Sequence, residues 1–526
     1  MITREYIEQL IEKKPDYRDL VFQRGFLITN CETSLNEISL CKDWRKIQFG
    51  SYLIWLHPNT DFHVFRVRGN VFFIIGHAYD PLKGLFREED ILSVLSSAYD
   101  KGSDSYQTVI DELTGVFLTG VIEGQTLRYQ ADAVSMYVSY SGIAQNHFFL
   151  SSHCNLIGCV AGLTRDKYVD ELVAYKYYKY FGIGLPGDLS PYHELKRTQA
   201  NFEYVFDGNA LHFSRIFPRN RIEPESYPER IQTISSILEK NMDLIWLKWG
   251  KNAALGLTGG RDSTTSLAGA HALLPSLETF SYVSSEGEQY DASAAEEIAK
   301  KIHVSHTTYH IDLSDSEASE CEDIGSIIEF NMGSIGRIRD VGIRRRVYFY
   351  HHPAFHVEIK SWVDEIGRAR LHKRYLKNSF PKKLRPRHLT TIYKVFGFNR
   401  KLVRKTDNAF SAYLKKYYSD DVLDRIPWWD LIYWEYLWGE NEALHLLNEH
   451  MLTYEVTIPF NNRCMLKAML EVELNKRIND SIQIDVIESL LPEINRTGIH
   501  VKDFGWNRKR EIAERIYWEV QTRLPF

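Results

Sequence analysis

Thr258-Gly259-Gly260-Arg261-Asp262-Ser263 is the stretch of this chain whose residue types and spacing are best suited to chemistry. Before it, Ala253-Ala254-Leu255-Gly256-Leu257 has the length and apolarity of a buried parallel strand. After it, Ser263-Thr264-Thr265-Ser266-Leu267-Ala268 reads as a helix start with hydroxyls free to cap its first turn. A strand, a Gly-Gly turn and a helix N-terminus make an anion site. The glycines let the backbone approach closely, the amides point outward and the helix dipole favours negative charge. The plainer alternative is an ordinary glycine-rich strand-to-helix turn.

The elements that must position this loop lie on both sides of it. An amphipathic helical pattern over 226–248 ends just before the strand. Beyond the loop come a strand at 278–283, a turn at Glu286-Gly287, a helix over 291–302 with Ala295, Ile298 and Ala299 at apolar spacing, and strands at 306–311 and 356–360. Alternating strands and helices predict a doubly wound α/β sheet of parallel strands, with ligand at the carboxyl ends. The remainder is helical and Trp-rich, with Trp428, Trp429, Trp434 and Trp438. The first half reads differently. Short strands are expected at Leu20-Val21-Phe22 and 147–150, hairpins at 64–67/71–76 and 116–122/127–129, and helices over 89–112 and 169–181. That pattern predicts an α+β sandwich.

The loop has neither the Gly-Lys-Ser/Thr of a Walker A motif nor G-x-G-x-x-G spacing. It resembles the S-G-G-x-D-S pyrophosphate loop of the PP-loop ATP pyrophosphatases, with Thr258 keeping the first hydroxyl. The resemblance extends to the asparagine synthetase superfamily. Leu113-x-Gly115-x-Phe117, Ala131-Asp132, Leu150-Ser151-Ser152 and the tail 194–213, with Asp207-Gly208 at a turn, follow the order of its Ntn-type glutaminase domain. Glu455, Pro459 and Phe460 resemble its E-x-R-x-P-F-L-D signature, with Thr457 for Arg and Asn461-Asn462 for Leu-Asp. Asp364-Glu365 stands where the family has G-E-G-x-D-E, but Lys360, Ser361 and Trp362 replace G-E-G. The resemblance implies a glutaminase-like domain over 1–220 and a PP-loop synthetase domain over 225–526. It implies ATP on Leu257, Thr258, Gly259, Gly260, Arg261, Asp262, Ser263 and Thr264, with backbone at Leu257 and near Tyr282 holding adenine. Asp262, Asp364 and Glu455 would be catalytic. Asp262 and Asp364, from different strand ends, could share a Mg²⁺ bridging triphosphate oxygens. The plainer alternative for Asp364-Glu365 is a solvent-facing pair at a helix start. The family's usual lysine has only Lys467, Lys476 and Arg477 as candidates.

One departure is decisive for chemistry. The glutaminase reaction needs a cysteine exposed as the mature N-terminus, its thiolate attacking glutamine and its amine acting as base. This chain begins Met1-Ile2-Thr3, bulky Ile2 disfavours removal of the initiator, and Cys31 is the first cysteine. Glutamine hydrolysis is therefore not expected.

Composition narrows the classes. With 526 residues, two or more domains are expected. A net charge of -5 argues against overall affinity for nucleic acid or membrane. No run reaches membrane-span length and no signal peptide opens the chain. Six scattered cysteines read as the reduced thiols of a cytoplasmic protein, and His153, Cys154 and Cys159 lack the partners of a zinc site. Residues 368–416 hold about sixteen Lys and Arg against one acid, Asp407, with Tyr375, Phe380, Tyr393, Phe396 and Phe398 interleaved. Such a block means a solvated surface or an acidic partner. The expected activity is an ATP-dependent amide-forming ligase that adenylates a small-molecule or peptide carboxylate. The amine would come from the substrate, a second substrate or free ammonia, as in the β-lactam synthetases and lasso-peptide cyclases of the superfamily. Two alternatives stand beside it: a PP-loop enzyme modifying RNA, and a non-catalytic nucleotide-binding scaffold.

Overall fold

The computed structural model describes residues 2–175, 184–336, 338–375, 381–393, 399–499 and 508–523. Its strands, in chain order, are β1 Phe26–Thr29, β2 Arg45–Phe49, β3 Tyr52–Leu56, β4 Phe62–Val67, β5 Asn70–Tyr79, β6 Thr114–Glu123, β7 Thr126–Ala131, β8 Tyr140–Ala144, β9 His147–Ser151, β10 Leu195–Arg197, β11 Phe202–Phe206 and β12 Leu211–Arg215 in the first half. β13 Ala253–Gly256, β14 Glu278–Val283, β15 Ser305–His310, β16 Val357–Ile359 and β17 Glu455–Thr457 follow in the second.

The first twelve strands form two six-stranded sheets, in orders β10-β8-β9-β1-β3-β2 and β12-β11-β7-β6-β5-β4, with the paired neighbours antiparallel. They pack face to face where Phe148 of β9 stacks on Phe206 of β11, ring centroids 4.6 Å apart. Strand alternation gives β5 two apolar faces. Phe73 and Ile75 point into the core between the sheets. Phe72 and Ile74 meet Ile91, Leu92, Leu95 and Ile110 of helices α1 Glu88–Tyr99 and α2 Ser103–Glu112.

The second half is built on a five-stranded parallel sheet in order β15-β14-β13-β16-β17. The order reverses at β13, so the carboxyl ends of β13 and β16 flank a topological switch point, where open α/β sheets bind ligands. Helix α3 Tyr227–Trp249 leads into β13 and buries Ile231, Ile234, Leu238, Met242 and Ile245, a 3.6-residue stripe. Among the described residues no helix is long and apolar enough to cross a membrane.

Several local expectations change. Leu20-Val21-Phe22 is not a strand: Pro15–Leu20 is a short 3₁₀ helix, and Phe22 and Arg24 have positive φ. The Asn331 side chain satisfies this segment instead, accepting from the Phe22 N–H and donating to the Leu20 carbonyl, both at 2.8 Å. The stretch 89–112 is two helices, broken where Gly102 adopts φ +117°. Glu286-Gly287 is not a turn but the first turn of helix α4 Glu286–Ile302, whose Glu288 accepts from the Ser284 N–H at 2.8 Å. The helix expected over 169–181 is Lys167–Val173, and 176–183 lie outside the described residues. So do Phe380, Phe396 and Phe398 of the basic block.

The two halves share one apolar core. At their seam the wide π-type turns of Tyr433–Glu442 deliver the buried Glu440 to β10 and the residues after it. Arg197 donates to the Gly439 carbonyl at 2.7 Å and lies 3.5 Å from the Glu440 carboxylate, which also accepts from Gln199. Burial outweighs Arg197 and raises the Glu440 carboxyl from 4.5 to about 7. A carboxyl raised on folding stabilises fully below its unfolded value and loses that contribution as pH rises through the folded one. Glu440→Gln removes this titration. Wild type should match the variant near pH 4.5 and fall below it by on the order of 3 kcal/mol at pH 8. Denaturant midpoints of both proteins at the two pH values check this.

Candidate nucleotide site

The loop after β13 is clipped shut by its own hydroxyls. Thr258 N–H donates to Ser263 Oγ at 3.1 Å, and the Thr258 and Ser263 hydroxyls lie 2.9 Å apart. Gly260 N–H donates to Thr258 Oγ1 at 3.1 Å, and Thr264 Oγ1 donates to the Gly260 carbonyl at 2.9 Å. A Cβ on Gly260 would stand 3.1 Å from Thr258 Oγ1, so close approach of backbone is what the glycine supplies. Helix α5 Arg261–Gly269 starts here. The amides of Gly259, Asp262 and Ser263 have no protein acceptor among the described residues. This is the cradle of N–H groups that an anion needs.

Asp262 and Asp364 meet beside this cradle. β13 and β16 are parallel neighbours, with Leu255 opposite Ile359, so the turns that follow them end side by side. Val363, immediately before Asp364, takes φ +79°, a left-handed conformation that costs a β-branched residue about 1–3 kcal/mol. That turn aims Asp364 inward, where it is fully buried and accepts from Gln483 Nε2 at 2.9 and 3.0 Å. Glu365 diverges from it to Arg370 and to Tyr433 Oη at 2.7 Å. The Asp262 and Asp364 carboxyls lie close enough to act on each other. Burial and then the Asp262 charge push the Asp364 carboxyl well up. Burial also raises Asp262, against the pull of Arg368. Two carboxylates in contact need a proton or a cation between them. Their oxygens suit a hard divalent ion, so the pair fits Mg²⁺. Arg368 pairs with Asp262 and with Asp480, and Lys373 also pairs with Asp480.

From the loop a cavity of about 310 Å³ runs between β14, β16 and α4. Of the residues named from sequence, Leu257, Thr258, Asp262, Ser263 and Tyr282 line it, and Gly259, Gly260, Arg261, Thr264 and Asp364 do not. Leu257 is less available than expected: its N–H donates to Phe280 O at 2.8 Å and its carbonyl accepts from Ser281 Oγ at 2.7 Å. Arg345 lies 4.0 Å over the Tyr282 ring and pairs with Glu288. Lys360 donates to Glu358 at 2.9 Å and lies 4.7 Å over the Trp362 ring. Arg345, Glu358, Lys360 and Trp362 are cavity residues that sequence reasoning did not assign. Only the strand end at Lys360, already marked as departing from G-E-G, pointed to them.

Glu455 is not brought to this cavity. It is the first residue of β17, at the amino edge of the sheet, and its buried carboxylate pairs with Arg24 at 2.5 Å, with His77 at 3.6 Å. The motif that nominated it is nevertheless structural. Asn461 Nδ2 donates to Asp132 at 2.8 Å and to the Gly115 carbonyl at 2.6 Å, tying three motif positions into the seam between the halves. None of the three cations nominated beyond it lines the cavity. Lys467 pairs with Glu471, Lys476 covers the Tyr227 ring, and Arg477 pairs with Asp430. Among the described residues one cluster of three His, Asp, Glu or Cys side chains has metal-like spacing: His63, Glu88 and Glu89, where Lys248 already pairs with Glu88.

Much of the basic block is consumed inside the molecule. Arg370, Arg374, Arg387, Lys405 and Lys416 pair with Glu365, Glu514, Asp407, Glu171 and Asp188. Lys382, Lys383 and Arg385 line a separate cavity of about 420 Å³ with His388 and Arg523.

No protein-family model matches this chain, and no curated protein matches it. Similar solved structures include an allosteric regulatory enzyme of purine biosynthesis, at TM-score 0.25 and 11% identity over 46% of this chain and 57% of that one. Glutamine phosphoribosylpyrophosphate amidotransferase from B. subtilis, complexed with ADP and GMP, gives TM-score 0.23 and 10% identity over 57% and 63%. Glutamine-dependent NAD⁺ synthetase from Acinetobacter baumannii, in complex with ADP, gives 0.17 and 17% over 31% and 32%. This chain covers less than two thirds of each. Likeness at this distance leaves the functional reading to the chain's own residues.

Asp364→Asn separates the metal role from a purely structural one. With the Asp364 carboxyl already pushed well up, its exchange for a neutral amide should change the stability of the ligand-free protein by no more than on the order of 1 kcal/mol. The extra thermal stabilisation that Mg²⁺ adds in the presence of ATP should disappear. Differential scanning calorimetry with and without Mg²⁺ checks both, and an undiminished response to Mg²⁺ removes the pair as the cation site.

Proposed function

We propose that this chain is an ATP-dependent ligase of the asparagine-synthetase-like kind, which adenylates a substrate carboxylate and passes the acyl group to an amine. The observation that carries this reading is the meeting of Asp262 and Asp364, from two strand ends, beside a cradle of backbone amides at a topological switch point. A phosphate-binding loop alone would suit many ligands. A loop with a carboxylate pair beside it suits a metal-bound polyphosphate.

In this reading the substrate carboxylate oxygen attacks the α-phosphorus of ATP. The bond to the bridging oxygen breaks and pyrophosphate leaves. The amine then attacks the acyl carbon, and AMP departs with the electrons of the broken C–O bond. The amides of Gly259, Asp262 and Ser263 receive the pyrophosphate, an arrangement that costs no reorganisation because the hydroxyl clip already fixes it. Asp262 and Asp364 would hold Mg²⁺, which supplies positive charge to the phosphate oxygens when bound. Lys360 and Arg345 are the cations of the cavity wall, each paired with an acid of the same wall, Glu358 and Glu288.

Glutamine is not the amine source in this reading. β1 starts at Phe26, and the residue before it, Gly25, is enclosed: a Cβ there would stand 2.5 Å from the Phe22 carbonyl and 3.0 Å from His153 and Trp44. Cys31 follows β1, and burial raises its thiol, which opposes a reactive thiolate. The RNA-modifying alternative drew on the basic block, and the intramolecular ion pairs weaken it.

Incubation with ATP, Mg²⁺ and a panel of carboxylates and amines should release pyrophosphate and AMP, with no glutamate formed from glutamine. Asp262→Ala should lower pyrophosphate release at least about 100-fold. Release of ADP and phosphate, or undiminished turnover in the variant, would overturn the assignment.

A further inference from the structure

The helix Arg508–Arg523 buries polar side chains and exposes apolar ones. Glu514 and Gln521 are buried beside Trp518. Glu514 pairs with Arg374 at 2.8 Å, and Trp518 stacks on Tyr375 with ring centroids 5.0 Å apart. On the other face Ile512, Ile516 and Val520 are 49%, 59% and 43% exposed. Their spacing of four residues sets them in one row along the helix. Single exposed apolar side chains need no explanation, and the others among the described residues are scattered along the chain. A row of them on one helix face marks a surface that something covers.

The same helix walls a basic cavity of about 420 Å³. Trp518, Glu519, Thr522 and Arg523 supply part of its lining, and Lys382, Lys383, Arg385 and His388 most of the rest. Glu519 and Arg523 follow Ile516 and Val520 at helical spacing of three residues, so the cavity opens beside the apolar row. Four cations there face one acid, Glu519, which pairs with Arg523. Lys382, Lys383 and Arg385 are exposed and make no ion pair among the described residues. Their segment is held in place: Trp428 Nε1 donates to the Pro381 carbonyl at 2.8 Å, and the Arg385 N–H to His388 Nδ1 at 3.0 Å.

A second copy of the chain could cover the row, but a two-fold contact would bring two basic corners together. A nucleic acid would meet the cations and leave the row in water. An anionic phospholipid surface answers both features, with phosphates for the cations and an acyl boundary for the row. We propose that this corner docks on a membrane rich in anionic phospholipid, with Ile512, Ile516 and Val520 entering the headgroup–acyl boundary and Lys382, Lys383, Arg385 and Arg523 on lipid phosphates. The helix lies on the membrane and does not cross it, since among the described residues none is long and apolar enough. The net charge of -5 does not oppose this, because the field of the membrane surface is screened within a Debye length and acts on this corner alone. The docking stands apart from what the nucleotide site binds.

Flotation of the full chain with vesicles of phosphatidylcholine, or of phosphatidylcholine and phosphatidylglycerol in equal parts, tests it. The mixed vesicles should bind about tenfold or more tighter, and high salt should release the protein. A membrane contact of this size needs both of its signals. Ile516→Asp, and separately the pair Lys382→Gln and Lys383→Gln, should each weaken binding about tenfold, with the thermal midpoint unchanged because all three side chains are exposed. Equal binding to both kinds of vesicle, or undiminished binding of either variant, overturns the proposal. So does failure to bind the mixed vesicles. In that case a dimer lost in Ile516→Asp would give the row to a second copy, and retention on RNA lost in the lysine pair would give the cations to nucleic acid.

Discussion

Two carboxyl groups brought side by side are the constraint from which the candidate site is built. Asp262 and Asp364 are brought together because β13 and β16 are adjacent and parallel, and because the Val363 turn directs the second carboxylate back toward the first. Neither feature is favourable in itself. The turn stores backbone strain, and burial raises both carboxyls. Both persist because the surroundings over-determine them. Gln483, from the helix Ser481–Leu490, grips both oxygens of Asp364, and Arg368 spans Asp262 and Asp480. Core burial on both sides of the sheet supplies the free energy that offsets them.

The first half contributes to this arrangement as a buttress. Its seam with the parallel sheet is made of polar groups in specific places: Asn461 on Asp132 and Gly115, Arg24 on Glu455, and Arg197 on the Gly439 carbonyl. Buried polar contacts of this kind fix register more than they add stability. They set β17 against the antiparallel sheets and so hold the far edge of the sheet that carries the loop. Motif positions that in sequence look like fragments of a catalytic signature act here as the fastening between halves.

Lys360 and Trp362 show how a departure from pattern is absorbed. At the end of β16, where small residues would leave room, the chain places a lysine and a tryptophan. The structure turns the lysine back onto Glu358 and lays it against the tryptophan ring, which also meets the edges of Trp438 and His450. The cavity is therefore smaller and more polar at this wall.

Much of the architecture was legible from local pattern. Runs of β-forming residues joined by short turns marked β4 to β7, and a 3.6-residue stripe marked α3, since both signals lie within a few residues of the chain. The loop itself was legible because hydroxyl, glycine and acid occupy fixed offsets along a few residues, and its hydrogen bonds are all local. What was not legible was what depends on distant partners. Leu20-Val21-Phe22 has strand composition, but its backbone groups are satisfied by Asn331, some 300 residues away. Glu455 has the motif of a functional acid, but its carboxylate is neutralised by Arg24. The basic block has the composition of a docking surface, but acids from as far off as Glu171 and Glu514 pair with it. Sequence alone thus determined the strand-loop-helix unit and the alternation that builds the parallel sheet, because propensity and periodicity act over a few residues. The meeting of Asp262 with Asp364 and the fate of each charge were decided only by the tertiary structure, because electrostatic pairing and desolvation depend on distance in space.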